Sequence, residues 1–239
     1  MSPFSICKES NETHKLVFMG DSRLRQFYKA FKRIVQYPGA APEKYEFQAM
    51  EHYDLFFKSK SLMLHFVWAP KPHDIAIKLQ QDYREMLSDS SLVLFNSGLH
   101  SIGEFGHNGY DKALLKFGDG MDKISRVCFA IDNSHGQEWQ IYLQSSNLFL
   151  FQTVLGIPGP LPRLVWFEQP RVTVRQGKYP RQYFLDKINR IARNSLESGE
   201  VIRKRIFYWN SLEPEVGPDG IHLTVACLTR AMKVQISFL

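Results

Sequence analysis

Short apolar runs alternating with longer amphipathic stretches set the pattern of this chain. Leu-Val-Phe-Met at 16–19 is unbroken, as a strand buried on both faces of a parallel sheet requires. Gly20 and Asp21 interrupt it. From Ser22 onward, Leu24, Phe27, Tyr28, Phe31, Ile34 and Val35 recur at helical spacing, with Arg25, Gln26, Lys29 and Arg33 on the polar side. A strand therefore turns sharply into an amphipathic helix, with a serine on the turn.

The same alternation continues. After a Pro/Gly loop near 37–42, residues 52–57 and 61–68 alternate in strand fashion about Lys58-Ser-Lys60 and predict a hairpin, or a strand preceded by an edge strand. Asp74 is expected to cap a helix carrying Ile75, Leu79, Tyr83, Met86 and Leu87. The apolar run at 91–95 is a further strand, and it runs into Asn96-Ser-Gly-Leu-His100. A Gly-containing loop beginning at 103 precedes a helical segment at 110–117. From about 126 to 160 no period holds, and the stretch closes on Gly-Ile-Pro-Gly-Pro. It is expected to be a peripheral insertion. Order returns with a strand at 164–167, a helix carrying Phe184, Ile188, Ile191, Ala192 and Leu196, a strand at 206–209 and a terminal helix at 223–234. The β-α alternation predicts an α/β fold, a three-layer α/β/α sandwich on a mostly parallel sheet, in a single domain over 1–239.

Composition narrows this picture in three ways. With 44% hydrophobic residues, including 18 Phe, the chain can fill a sizeable core and is not a disordered polypeptide. The net charge of +6 suits an anionic ligand, but the basic residues are dispersed among acids and no nucleic-acid motif occurs. Cys7, Cys128 and Cys227 lack metal spacing and exclude a disulfide scaffold, so no metal site is expected. Asn11-Glu-Thr13 is a glycosylation sequon, meaningful only in the secretory pathway. No signal peptide or bilayer span is expected within these residues; the most apolar long stretch is interrupted by Gln144, Ser145, Ser146, Asn147 and Gln152.

Candidate chemistry gathers at strand ends, where ligands of open α/β sheets sit. Ser22 can be an N-cap or an exposed nucleophile beside backbone N–H groups. Asn96 and Gly98 can form an ordinary turn or supply oxyanion donors. His100, alone in its loop, points to nothing. Asp219 and His222 stand three apart before the last helix, where the aspartate can cap it or orient the imidazole as a base for a serine.

Taken together, Gly20-Asp-Ser22, the Asn96 loop and Asp219-Gly-Ile-His222 resemble the SGNH (GDSL) hydrolase superfamily. Gly20-Asp-Ser-Arg-Leu-Arg-Gln26 and Phe66-Val-Trp68 resemble its PC-esterase branch, and within that the luminal domain of sialic acid O-acetyltransferases. The resemblance spans nearly the whole chain outside 126–160. It implies Ser22 as nucleophile, His222 as base and Asp219 as its orienting partner. Oxyanion donors would come from the Ser22 backbone, Gly98 and Asn96. It further implies an O-acetyltransferase acting on a glycan or nucleotide-sugar hydroxyl, with acetyl-CoA as acyl donor and no bound cofactor, residing in the Golgi. An acetylesterase and an inactive glycan-binding domain are the alternatives. Helical geometry puts Arg25 and Gln26 on the polar side with Ser22, one turn on, where they could meet an anionic acceptor.

Overall fold

The computed structural model describes residues 14–37, 52–59, 62–81, 92–103, 110–133, 139–140, 143–145, 148–150, 153–154, 163–169, 181–197 and 206–209. Asp219, His222, the terminal helix expected at 223–234, the sequon, Cys7 and Cys227 lie outside the described residues. So do Tyr83, Met86 and Leu87.

Strand β1 (His14–Gly20) leads through Asp21 into α1 (Ser22–Gln36). The expected hairpin follows as β2 (Leu55–Lys58) and β3 (Leu62–Trp68), then α2 (Pro72–Gln81), β4 (Leu92–Phe95) and a short α3 (Leu99–Gly103). Helix α4 (Tyr110–Asn133) precedes four very short strands, β5 (Trp139–Gln140), β6 (Leu143–Ser145), β7 (Leu148–Leu150) and β8 (Thr153–Val154). The chain returns through β9 (Arg163–Phe167) and α5 (Arg181–Glu197) to β10 (Ile206–Trp209).

Six strands form one sheet in the order β10-β9-β4-β1-β3-β2. Five are mutually parallel, and β2 closes the edge antiparallel to β3. Alternation along each strand divides the core in two, because successive side chains point to opposite faces. Leu16 and Phe18 of β1, Leu64 and Phe66 of β3, and Leu92 and Leu94 of β4 pack beneath Leu24, Phe27, Tyr28 and Phe31 of α1. Val17, Met19, Val93, Phe95 and Trp166 face the other way, against Ile75 of α2, Phe117 and Met121 of α4, and Ile188 of α5. This is the expected α/β/α sandwich.

Two boundaries differ from the sequence pattern. The helix expected at 110–117 runs on to Asn133. Gly118 and Gly120 weaken its propensity, yet Ala113, Phe117, Met121 and Ile124 keep one buried face in register through them. Tertiary packing overrides the local glycine cost. The aperiodic stretch thus begins inside a helix, and Val127 still packs on the core. Beyond it, β5 pairs with β8 and β6 with β7, both antiparallel, and neither ribbon joins the six-stranded sheet. Asp74 is likewise no N-cap. It sits in the first turn of α2 and accepts a hydrogen bond from the Lys71 backbone N–H at 3.2 Å, satisfying an orphan donor from within the helix.

Candidate active site

The turn after β1 is built from a capping aspartate. Asp21 adopts extended backbone (φ −90°, ψ −168°), and its Oδ1 accepts from the Arg23 backbone N–H at 2.9 Å. Asp21 is therefore the N-cap of α1, and Ser22 is the first helical residue. The structural role that serine could have filled is already taken, and Ser22 stands half-buried at the carboxyl end of the central strand.

Asp21 is fully buried. Its Oδ2 accepts from Gln169 Nε2 at 2.7 Å, and Gln169 Oε1 accepts from the Arg23 guanidinium at 3.0 Å. Gln169 follows β9 and is itself fixed by α5: its N–H donates to Asn189 Oδ1 at 3.1 Å, and its carbonyl accepts from Asn189 Nδ2 at 2.9 Å. Buried charge is costly unless hydrogen-bonded. Here Asp21 and Arg23 meet opposite ends of one amide, which bridges the turn after β1 to the far half of the sheet.

The loop after β4 lies against the same turn. Asn96 donates its backbone N–H to the Met19 carbonyl at 3.2 Å and is fully buried. A Cβ on Gly20 would come within 2.6 Å of both the Asn96 carbonyl oxygen and Oδ1, so only glycine permits this approach. Among the described residues, neither Nδ2 nor Oδ1 of Asn96 has a hydrogen-bond partner. Buried side-chain amides are nearly always satisfied, and one that is not invites a functional explanation. Gly98 takes φ +140°, a conformation side-chain-bearing residues rarely adopt. Ser97 Oγ donates to the Pro70 carbonyl at 2.8 Å, tying the loop after β4 to the loop after β3 above the end of β1.

On the β3 side, Trp68 is paired in register with Gly20, and the Ala69 N–H donates to the Gly20 carbonyl at 3.0 Å. His52 stacks on Trp68, with ring centres 4.5 Å apart and planes 13° apart. His100, from α3, meets Trp68 edge-on at 5.4 Å and His52 at 6.2 Å. The Arg25 guanidinium carbon lies 5.6 Å from the Trp68 ring centre. Burial pushes the His100 pKa below its ordinary value; nearby Asp21 opposes this, while His52 and Lys71 reinforce it.

No protein-family model matches this chain, and no curated protein does. Its backbone is similar to solved structures. The lipase Lip_vut3 from a goat-rumen metagenome superimposes with a TM-score of 0.50 at 10% identity, covering 93% of this chain and 97% of its own. LAE5, an alpha/beta hydrolase enzyme from the metagenome of Lake Arreo, Spain, gives 0.50 at 10% identity, with 95% of both chains covered. A GDSL-like lipase from Bacteroides thetaiotaomicron gives 0.49 at 11% identity, covering 93% and 87%. The chain has the fold of Lip_vut3 and LAE5.

In an open sheet of this strand order, a crevice is expected between the carboxyl ends of the neighbours β1 and β4, from which the chain departs in opposite directions, toward β3 and toward β9. Ser22, Asn96 and Gly98 are brought to that point, and Arg25 and Gln26 lie one turn along α1. Arg25 is 6% exposed and so is no solvated surface arginine; Gln26 is half-buried. Arg23, on the other side of the helix, is fully enclosed. Two groups carry no signal in the linear sequence. Gln169 is a lone amide after a strand, and His100 a lone histidine in a loop. Only the crossover order of the sheet places the first under Asp21 and the second against Trp68.

Proposed function

We propose that this chain is a serine-dependent acyl-transfer enzyme working through an acyl-Ser22 ester. The observation that carries the reading is the Asn96 side-chain amide, buried, without a hydrogen-bond partner among the described residues and packed on Gly20, two residues before a serine that is not the N-cap. An Nδ2–H donor prepositioned in a buried site would stabilise an oxyanion that the ground-state ester does not carry, where it is most useful.

In the proposed sequence, Ser22 Oγ attacks the acyl carbonyl and passes its proton to the His222 imidazole, which Asp219 orients. The carbonyl oxygen becomes an oxyanion, accepting from the Ser22 and Gly98 backbone N–H groups and from Asn96 Nδ2. Collapse expels the alcohol or thiol, which takes the proton from His222. An acceptor hydroxyl, deprotonated by the same imidazole, then attacks acyl-Ser22 and restores the serine. The substrate reading rests on the PC-esterase resemblance: an O-acetyltransferase using acetyl-CoA and acting on a sialic acid hydroxyl, in the Golgi. Arg25, with Gln26, would meet the sialic carboxylate or a nucleotide phosphate. An acetylesterase uses the same intermediate and differs only in releasing the acyl group to water.

Purified protein incubated with acetyl-CoA and a sialoside, and separately with p-nitrophenyl acetate, separates the two. Ser22→Ala and His222→Ala are each expected to abolish nearly all turnover, and the double variant to lose no more than either alone. Asp219→Asn should cost on the order of 10⁴-fold through the wrong imidazole tautomer. Multiplicative losses would break the shared mechanism, and absence of acyl turnover in the unsubstituted chain would leave a binding domain.

A further inference from the structure

The cluster of Trp68, His52 and His100 has no part in the acyl chemistry above, yet it stands beside the turn that would carry it. Trp68 is level with Gly20 across the parallel β1–β3 pair. Arg25, three residues past Ser22, lies over the Trp68 ring, and residues three apart on a helix are neighbours. His100 reaches Trp68 from α3, just after β4. Since β1 lies between β3 and β4, that contact crosses the carboxyl end of β1 close to Asp21, whose charge acts on His100. Three rings from three separate segments thus form a wall at one side of the Ser22 crevice.

The chemistry of that wall is selective. Trp68 and His52 are stacked, with ring planes parallel within 13°, and His52 is exposed and turns its outer face away from Trp68. Flat aromatic faces suit the C–H face of a saturated ring. Burial keeps His100 uncharged at neutral pH, so each of its nitrogens has one defined role, a donor on one and an acceptor on the other. That pairing matches hydroxyl groups, which themselves donate and accept. An acyl-chain pocket would instead be lined by aliphatic side chains, with no imidazole to desolvate.

We propose that Trp68, His52 and His100 form the subsite for the alcohol half of the ester, and that this half is a hydroxylated sugar ring. The proposal rests on Ser22 as the acyl-carrying residue for its catalytic meaning, but binding can be read without it. In the full chain carrying Ser22→Ala, the methyl α-glycoside of N-acetylneuraminic acid and the methyl β-glycoside of N-acetylglucosamine are titrated by calorimetry, with butyrate as an acyl-chain probe. At least one sugar is expected to saturate, and the added substitution His52→Ala to weaken it about five-fold by removing the exposed ring face. Butyrate binding is expected to be unchanged. His52 is exposed, so this variant should fold; Trp68→Phe, which keeps a ring in the core, is the second variant and should weaken the same sugar less than His52→Ala combined with it. Saturation by neither sugar, or equal sugar binding with and without His52, overturns the proposal. His52-dependent sugar binding in a chain whose unsubstituted form turns over no acyl ester would uphold the subsite and overturn the enzyme reading instead.

Discussion

The Asn96 side-chain amide is buried and has no hydrogen-bond partner among the described residues, so under the proposed mechanism it is costly to the fold and valuable to the chemistry. Leaving a buried polar group unsatisfied costs roughly 1–3 kcal/mol, whereas removing one oxyanion donor typically costs about 10²–10³ in kcat. Asn96→Ala is therefore expected to depress ester turnover by about that factor while moving the thermal midpoint little; a large loss of stability with proportionate activity would make it a scaffold residue. Histidine supplies a pH signature. Burial lowers the His100 pKa, and burial with nearby Lys123 lowers that of His73, from the ordinary value of 6.5. A depressed histidine stabilises the fold above its unfolded pKa. As pH falls below 6.5, the unfolded chain binds protons first, and that stability is progressively lost toward the folded value. Urea midpoints should drop between about pH 7.5 and about pH 5.5, and His100→Gln should flatten the slope; an unchanged slope would remove His100 as a contributor. At this scale the sequence shows residue types in fixed order and not their partners. The placement of Ser22, Asn96 and Gly98 at strand ends was legible because each follows a recognisable strand. Gln169, His52 and His100 were not, because their neighbours are dozens of residues away.

Elements were easier to read than their ends. The apolar faces of α1 and α5, the β2–β3 hairpin and β4, β9 and β10 follow directly from periodicity, since burial on one stripe or on alternate positions leaves a pattern in the chain. Helix α4 defeated that reading because its two glycines look like breaks. Their surroundings differ. A Cβ at Gly120 would lie 2.7 Å from Pro72 Cβ and 3.0 Å from the His73 backbone N, so α2 and α4 pack closely there because the side chain is missing. A Cβ at Gly118 would meet Ile191 Cγ2 at an ordinary 3.8 Å. Gly118→Ala should stabilise by about 0.5–1 kcal/mol through helix propensity alone. Gly120→Ala gains the same propensity but must push the α2 and α4 backbones apart, and should destabilise by roughly 1–3 kcal/mol overall. Thermal melts of the two variants moving in the same direction would contradict this account.

The whole molecule is a sheet whose centre was written first and completed from both sides. The start expected for the aperiodic stretch, near 126, was not legible, because α4 crosses it and runs on to Asn133. Removing 134–160 and joining the ends with a short linker should preserve a single cooperative melt, since the ribbons β5–β8 and β6–β7 share no strand pairing with the main sheet. Removing 126–160 should lower the midpoint further by withdrawing Val127 from the core; equal midpoints would show that the end of α4 adds nothing. Among the described residues no helix is long and apolar enough to cross a membrane. The bridge from Asp21 to Gln169 has a consequence for how the protein is made. Its partners are separated by 148 residues, so at about 5–20 residues per second roughly 7–30 seconds of synthesis elapse between them. During that interval the carboxylate beside Ser22 lacks the amide that holds it in the finished fold, and a nascent chain stalled before residue 169 cannot display the mature turn. Under the proposed mechanism serine reactivity toward a fluorophosphonate probe also needs His222, so on ribosome-bound chains it should appear only after the chain beyond residue 222 has emerged, by which time the Asp21–Gln169 bridge can already have closed.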